Sequence, residues 1–278
     1  MSTVVSLRQL PLHRYAVRGA TLAVSQLGAT GDAVLFVPGY TGGKEDFLAI
    51  ADGVVGHGFH YLAMDQRGQN ESTGPDDGSA HTIEALAGDL RELLALIGAP
   101  VHLVGHSFGG LVARQAVIDD PSTVRSLTLM SSGPGALTGP RAEAIVALEP
   151  VLLAQGQAAV YDAIEDAALR SGQREAATTD IAAFMRRRFL AASVAGLAAM
   201  GRELLVAPDL VEELRASGVP MLVVHGTEDD TWSPQLQTDM AGRLGAQHRV
   251  IAGAAHSPAA ERPAETVVAL ADFWRSIA

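Results

Sequence analysis

A serine between two glycines, set between an apolar run and a helical pattern, constrains the fold of this chain more than any other feature. Ser107 lies in a G-x-S-x-G pattern with Gly105 and Gly109 two positions before and after it. The apolar residues 101–104 predict a buried strand, and the spacing at 111–117 predicts a helix. Small residues are needed where a strand turns directly into a helix, because the two backbones come close together. The pattern therefore predicts a sharp turn that lifts the Ser107 hydroxyl clear of a sheet.

Strand and helix patterns alternate along most of the chain. Residues 12–17 and 21–26 predict an N-terminal hairpin. Further apolar runs predict buried strands at 33–37, 61–64, 124–130, 219–224 and 249–251, and helical spacing occurs at 45–55, 82–97, 235–244 and 264–277. Such alternation is typical of parallel β-α-β units covered on both faces. We therefore expect an α/β fold with a mostly parallel central sheet of about eight strands flanked by helices.

One stretch interrupts this alternation. Residues 141 to about 215 show helical patterns and no convincing strand pattern, within a segment that we bound at 134–215. They predict a helical cap over the strand ends, inserted between a first core part at 1–133 and a second at 216–278. Three consecutive arginines at 186–188 in this cap could hold a substrate carboxylate, but a solvated helix face is the favoured interpretation.

Composition narrows the class of partner. The 278 residues carry 31 acidic against 20 basic side chains, a formal net charge of -11, which argues against a nucleic acid or an anionic membrane as partner.

Cysteine is absent, so no disulfide, thiolate nucleophile or cysteine-ligated metal is available. No metal-ligand spacing or dinucleotide fingerprint occurs, and we expect no metal and no cofactor. The first 15 residues lack the apolar core of a signal peptide, and no apolar run reaches membrane-spanning length, so we expect a cytoplasmic protein with a small-molecule substrate.

A serine hydroxyl becomes a nucleophile only when a base takes its proton, so the chain needs a partner for Ser107. Of the nine histidines, only His256 follows the last predicted strand and precedes the last helix, in a loop that can reach back over the sheet. His106 is next to Ser107, where its side chain is expected to point away from the hydroxyl. His256 is therefore the candidate base.

The base in turn needs an orienting carboxylate after a neighbouring strand. Two residues compete for that role. Counting from Gly226, a G-x-x-D pattern selects Asp229; counting back from Pro234, a D-x-x-x-P spacing selects Asp230. Asp229 is favoured, because the glycine governs the turn that leaves the strand.

An oxyanion would need two N–H donors near Ser107. The Phe108 N–H directly follows the serine, and the glycine-rich loop at 38–43 offers the Tyr40 N–H as the second donor. Candidate pocket residues are apolar or aromatic and come from this loop, the cap and the segment after the acid: Tyr40, Phe184, Met185 and Trp232.

Together these motifs resemble the α/β-hydrolase superfamily with a helical cap, over essentially the whole chain. The landmarks in register lie at 39–40, 65–72, 105–110, 226–229 and 253–256. Two departures occur. Pro38 stands where the family usually has histidine before the loop glycine, and Asn70 stands where it has the second glycine of D-x-R-G-x-G-x-S. Asparagine tolerates a left-handed backbone, which is compatible with that turn.

The resemblance implies a serine hydrolase that acts on a small or medium uncharged carboxylic ester through an acyl-enzyme, with Ser107, Asp229 and His256 as the triad. Similar scaffolds also open lactones, hydrolyse thioesters, cleave C–C bonds or perhydrolyse acids without a cofactor. A different class of function, a non-enzymatic small-molecule receptor or regulatory binder that keeps the triad, stays open at this stage.

Overall fold

The computed structural model describes residues 4–98, 100–171 and 179–277. Its centre is one eight-stranded sheet with the order β1-β2-β4-β3-β5-β6-β7-β8. The strands are β1 (Leu12–Val17), β2 (Ala20–Leu27), β3 (Ala33–Val37), β4 (His60–Met64), β5 (Val101–His106), β6 (Val124–Met130), β7 (Met221–Gly226) and β8 (Gln247–Ile251). The hairpin strands β1 and β2 pair antiparallel, β2 pairs antiparallel with β4, and all other pairs are parallel. The predicted mostly parallel sheet of about eight strands is confirmed.

Helices connect the strands in the predicted order. They are α1 (Ala51–Gly56), α2 (Ile83–Ile97), α3 (Phe108–Asp119), α4 (Pro140–Ser171), α5 (Thr179–Leu190), α6 (Val194–Val206), α7 (Val211–Ala216), α8 (Pro234–Leu244), α9 (Pro258–Glu261) and α10 (Pro263–Arg275). The Thr82 side chain accepts from the Ala85 N–H and starts α2. The helix predicted at 45–55 begins instead as a 3-10 helix over Lys44–Ile50.

Both faces of the sheet are covered. Neighbouring β3 residues point to opposite faces, so Leu35 joins a core cluster with α2, α3 and α8, and Phe36 joins one with α1 and α10. Both side chains are fully buried, and each such burial contributes on the order of 1.5–3 kcal/mol. Because parallel strands end at the same edge, the loops after β3, β4, β5, β7 and β8 meet there.

Helices α4 to α7, the helical insert, separate β6 from β7. Between these two strands, the described residues contain no strand. The insert has its own apolar cluster, which includes Leu152, Tyr161, Phe189 and Leu197. Residues 172–178 of the predicted cap lie outside the described part of the chain.

Helix α4 has an unexpected property. Among the described residues, its part Pro140–Ala168 is long and apolar enough by composition to cross a membrane, contrary to the sequence-based expectation, and only 17% of its most apolar window is buried. The bent pair Thr179–Leu190 and Val194–Val206 passes the same test when taken together. Within α4, however, Gly156 has φ 81° and ψ -176°, which breaks the helix into two pieces. Each piece is shorter than the roughly 20 residues that a span needs.

Candidate active site

The turn at Ser107 brings three backbone segments into contact. Ser107 has φ 54° and ψ -123°, a conformation that costs on the order of 1–3 kcal/mol for a residue with a side chain. A Cβ atom on Gly105 would lie 2.5 Å from the Gly109 carbonyl oxygen, and one on Gly109 would lie 2.4 Å from the Pro38 carbonyl oxygen. Larger residues at either position would push helix α3 away from β5 and from the loop after β3.

Ser107, His256 and Asp229 form a continuous chain of hydrogen bonds across the strand ends. The Ser107 Oγ lies 3.0 Å from His256 Nε2, and His256 Nδ1 lies 2.9 Å from Asp229 Oδ1. Asp229 and Ser107 are buried, whereas the His256 side chain is 18% exposed. An imidazole held in this way can take a proton from the hydroxyl on one side while it donates to the carboxylate on the other.

The structure brings Asp229, and not Asp230, to the histidine. Asp229 also accepts from the Thr231 N–H at 3.0 Å and from Gln237 Nε2 at 2.9 Å. Burial alone would raise the pKa of Asp229, but these donors and His256 outweigh it and hold the pKa below its ordinary value. The Asp230 side chain is 57% exposed and pairs with Arg141 on α4.

His106 and Gln237 also hold parts of the site in place, although the sequence motifs point to neither residue for this role. His106 Nε2 lies 2.8 Å from the His256 carbonyl oxygen, and since a carbonyl only accepts, Nε2 carries the proton. Burial, with the neighbouring His256, lowers the pKa of His106 to about 4. His106 thus holds the main chain of the loop that carries His256, while Gln237 holds the Asp229 carboxylate.

The loop after β3 lies directly against the serine. A Cβ on Gly39 would stand 3.1 Å from Ser107 Cβ and 3.5 Å from Ser107 Oγ. The Tyr40 ring extends from this loop to the helical insert, where its hydroxyl would lie 3.1 Å from a Cβ on Gly201. Burial, and to a lesser degree Glu149, raises the pKa of Tyr40 well above its usual range, so the ring stays neutral. Phe108 begins α3 and is fully buried.

A family model described as the alpha/beta hydrolase family matches residues 34–270, which span both core parts and the helical insert. The chain belongs to this family. The match covers the sheet from β3 to β8 and all of the residues placed at the site above.

The individual relatives described below share 22–34% sequence identity with this chain over the aligned residues. A putative carbamate hydrolase of Variovorax paradoxus is 34% identical over 124 residues, which cover 44% of this chain and 43% of that protein. A non-heme chloroperoxidase of Streptomyces lividans is 30% identical over 188 residues, or 63% of this chain and 66% of that protein. These alignments span less than two thirds of either relative. The crystal structure of an enol-lactonase from Burkholderia xenovorans shares the fold, with a TM-score of 0.78 at 22% identity over 95% of this chain and 100% of that one.

In this alpha/beta hydrolase the three consecutive arginines of α5 have different environments. Arg186 and Arg187 are exposed, in line with a solvated face. Arg188 is buried, and its Nη1 donates to Asp46 Oδ1 at 2.7 Å, with Glu45 at 3.8 Å. The prediction of a solvated face is wrong for Arg188, because two carboxylates of the core compensate its charge.

Those carboxylates belong to a charged cluster beside the loop after β3, in which Asp46 and Asp65 are buried and Glu71 is exposed. Lys44 Nζ contacts Asp65 at 2.8 Å, Glu45 at 2.8 Å and Glu71 at 2.7 Å. Burial raises the pKa of Asp65 to about 6 even though Lys44 opposes it. With Asp46 and Arg188 included, four carboxylates surround two cations.

The predicted pocket residues differ in their surroundings. Phe184 and Met185 pack around the arginines of α5: the Phe184 ring lies 5.7 Å from the Arg188 guanidinium carbon, and the Met185 sulfur lies 3.5 Å from Arg188 Nη2. Trp232 is buried against Gly133, where a Cβ would lie 2.2 Å from the indole ring. The role of these side chains in substrate binding stays a prediction.

Among the described residues, no three histidine, aspartate or glutamate side chains are grouped as a metal site requires.

Proposed function

We propose that the protein is a serine hydrolase that cleaves a small or medium uncharged carboxylic ester through an acyl-enzyme. The observation that carries the proposal is the hydrogen-bond chain Ser107–His256–Asp229, with its two distances of 3.0 and 2.9 Å. It stands at the edge of the sheet where parallel α/β folds bind their ligands. Membership of the alpha/beta hydrolase family supports the same reaction class.

In the proposed acylation step, the Ser107 Oγ attacks the ester carbonyl carbon while His256 Nε2 accepts the hydroxyl proton. Asp229 keeps the proton on His256 Nδ1 and stabilises the imidazolium. The carbonyl oxygen becomes an oxyanion that accepts from the N–H groups of Tyr40 and Phe108. When the tetrahedral intermediate collapses, the C–O bond to the alcohol breaks and His256 returns the proton to the leaving oxygen.

In the proposed deacylation step, water replaces the alcohol. His256 takes a proton from water as the water oxygen attacks the acyl carbon of the Ser107 ester. The second tetrahedral intermediate then expels the serine oxygen, which recovers its proton from His256. The products are a carboxylic acid and the free enzyme.

The charges near the site support an uncharged substrate. Arg188 is the buried cation that the helical insert contributes beside the loop after β3, and it is already paired with Asp46 at 2.7 Å. Since carboxylates outnumber cations in this charged cluster, an additional negative charge on the acyl group would be repelled there.

The proposal is tested by labelling and turnover together. A fluorophosphonate should modify the native protein at Ser107 alone, as mapped by peptide mass spectrometry. Ser107→Ala should fold normally and lose nearly all hydrolysis of short-chain p-nitrophenyl esters. Labelling at another serine, or undiminished turnover in Ser107→Ala, refutes the proposal. Tight ester binding with negligible turnover by the native protein would favour a receptor instead.

A further inference from the structure

Two glutamines after β4 hold the loop that lies against Ser107. Gln69 Nε2 donates to the Gly39 carbonyl at 2.8 Å and to the Tyr40 carbonyl at 3.1 Å. Gln66 Nε2 donates to the Pro38 carbonyl at 2.8 Å. Three consecutive carbonyl groups of the loop are therefore engaged by side chains from one neighbouring segment. Both glutamines are buried.

The orientation of the Gln69 amide follows from its partners. Its Oε1 accepts from the Gln66 N–H at 3.1 Å, which leaves the two Nε2 protons for the two carbonyl groups. The opposite orientation would place an oxygen against two carbonyl oxygens. The Gly39 carbonyl also accepts from the Gly42 N–H at 3.1 Å, so Gln69 reinforces a turn that the loop already makes.

The segment that carries Gln69 is itself held in place. The Asp65 carbonyl accepts from the Ser72 hydroxyl at 2.7 Å, and Asp65 Oδ2 accepts from the Glu71 N–H at 3.2 Å. Asn70 has φ 38°, the left-handed conformation expected at this departure from the family pattern. A rigid segment can hold a neighbouring loop in one geometry.

The carbonyl group of Gly39 and the N–H group of Tyr40 belong to the same peptide unit. In a trans peptide these two groups point in opposite directions, so a carbonyl anchored on Gln69 directs the Tyr40 N–H away from Gln69. Gly39 also lies directly against Ser107, because a Cβ atom on Gly39 would stand 3.1 Å from Ser107 Cβ.

We propose that Gln69 is a positioning residue for oxyanion stabilisation: it fixes the Gly39–Tyr40 peptide so that the Tyr40 N–H faces the reacting carbonyl oxygen at Ser107. The inference rests on the proposed function, because it concerns the oxyanion of that acyl transfer. Gln69 donates to the loop carbonyls and acts through the backbone of the loop.

The first test replaces Gln69 with methionine, which has a similar length and shape but no N–H donors. For a short p-nitrophenyl ester, Gln69→Met should lower kcat/KM per active site by about 10- to 100-fold, because a small misplacement of a donor is costly. Active sites are counted by fluorophosphonate titration. The loss should fall on kcat rather than KM, as expected for an interaction made only in the transition state.

An oxyanion-specific inhibitor separates this role from a structural one. An aryl trifluoromethyl ketone adds the Ser107 oxygen and forms a tetrahedral oxyanion, so its affinity for Gln69→Met should fall by the same factor as kcat/KM. Gln157→Met is the matched control, because Gln157 also donates to a backbone carbonyl, that of Ala192 at 2.7 Å, but lies in the helical insert. Its kcat/KM and inhibitor affinity should match those of the native protein.

A second variant keeps the inference testable if Gln69→Met does not fold. In Gln69→Glu, the ionised carboxylate can only accept and would repel both loop carbonyls, whereas the protonated form can donate one O–H. The ratio of native to Gln69→Glu activity should therefore rise with pH.

The outcomes distinguish the inference from the proposed function. Native kcat/KM in Gln69→Met, a loss confined to KM, or unchanged inhibitor affinity refutes the positioning role of Gln69. A pH-independent activity ratio for Gln69→Glu refutes it as well. If Ser107 is still labelled and Ser107→Ala is still inactive, the proposed function survives that result. If Ser107 is not labelled, or if Ser107→Ala remains active, the proposed function itself is refuted.

Discussion

Arg188 and Asp46 form a buried ion pair between the helical insert and the core, with 2.7 Å between Nη1 and Oδ1. The two side chains are 2% and 5% exposed. The second oxygen of Asp46 accepts from the Gly43 N–H at 3.2 Å, at the end of the loop that begins at Pro38. One carboxylate therefore connects helix α5 to the loop beside Ser107.

Loss of one member of this pair should destabilise the protein strongly. Arg188→Met leaves the Asp46 carboxylate buried beside Glu45, and we expect the free energy of unfolding to fall by about 3–5 kcal/mol. The double variant Arg188→Met/Asp46→Asn removes both charges and should recover part of that loss. Urea denaturation of the four proteins in the cycle measures both effects. Additive effects of the two changes would contradict a direct coupling.

The two neighbouring aspartates should differ sharply in mutational effect. Asp229→Asn places an amide at His256 Nδ1 and favours the wrong tautomer, so kcat at neutral pH should fall by a factor on the order of 10⁴, as it does in serine proteases. Asp230→Asn is the matched control: it disturbs the exposed pair with Arg141, and its kcat should stay near the native value. Steady-state kinetics of the two variants on one aryl ester tests this ranking. A larger loss of kcat in Asp230→Asn would assign the orienting carboxylate to Asp230.

Substitutions in the helical insert should change the preference between substrates more than they change the acylation step itself. Phe184→Ala and Met185→Ala, which open space around Arg188, should change the relative kcat/KM of short and medium acyl esters by about tenfold. Val268→Ala, at an exposed position on α10, serves as the control. An identical loss for every chain length in both variants would argue against a pocket lined by α5.

Lowering the pH should reduce the stability of the folded protein, because the buried His102 accepts a proton less readily than it does in the unfolded chain. Burial lowers the pKa of His102 to about 4, although Asp32 opposes the shift. Between pH 6.5 and 4 the unfolded chain therefore binds more protons at this residue than the native state does. Stability is lost as the pH falls through that window, by about 3 kcal/mol for this group.

The test compares urea denaturation of native protein and His102→Gln between pH 7 and pH 4. The stability of the variant should depend less on pH, and equal slopes for the two proteins would refute the prediction. Asp65 acts in the opposite sense, because its pKa of about 6 means that the native state takes up a proton more readily than the unfolded chain does. Asp65 is present in both proteins, so the difference between their pH dependences reports the contribution of His102.

Much of the fold was predictable because its signals are local. Short apolar runs predict the parallel strands, and the pattern around Ser107 predicts the turn between β5 and α3. The order of these motifs along the chain also predicts which loops share one edge of the sheet. Ser107, Asp229 and His256 could be selected as candidates for that reason.

The remaining contacts depend on residues that are distant in sequence. Arg188 looks like one of three equivalent arginines until the fold sets it against Asp46, 142 positions earlier in the chain. Gln69 looks like an ordinary residue of a turn until the parallel strands β3 and β4 bring that turn against Gly39 and Tyr40. Sequence spacing determines which strand ends carry the candidate site residues. Tertiary packing alone decides which buried donor meets which acceptor, because that choice depends on distances and angles between segments that no local pattern encodes.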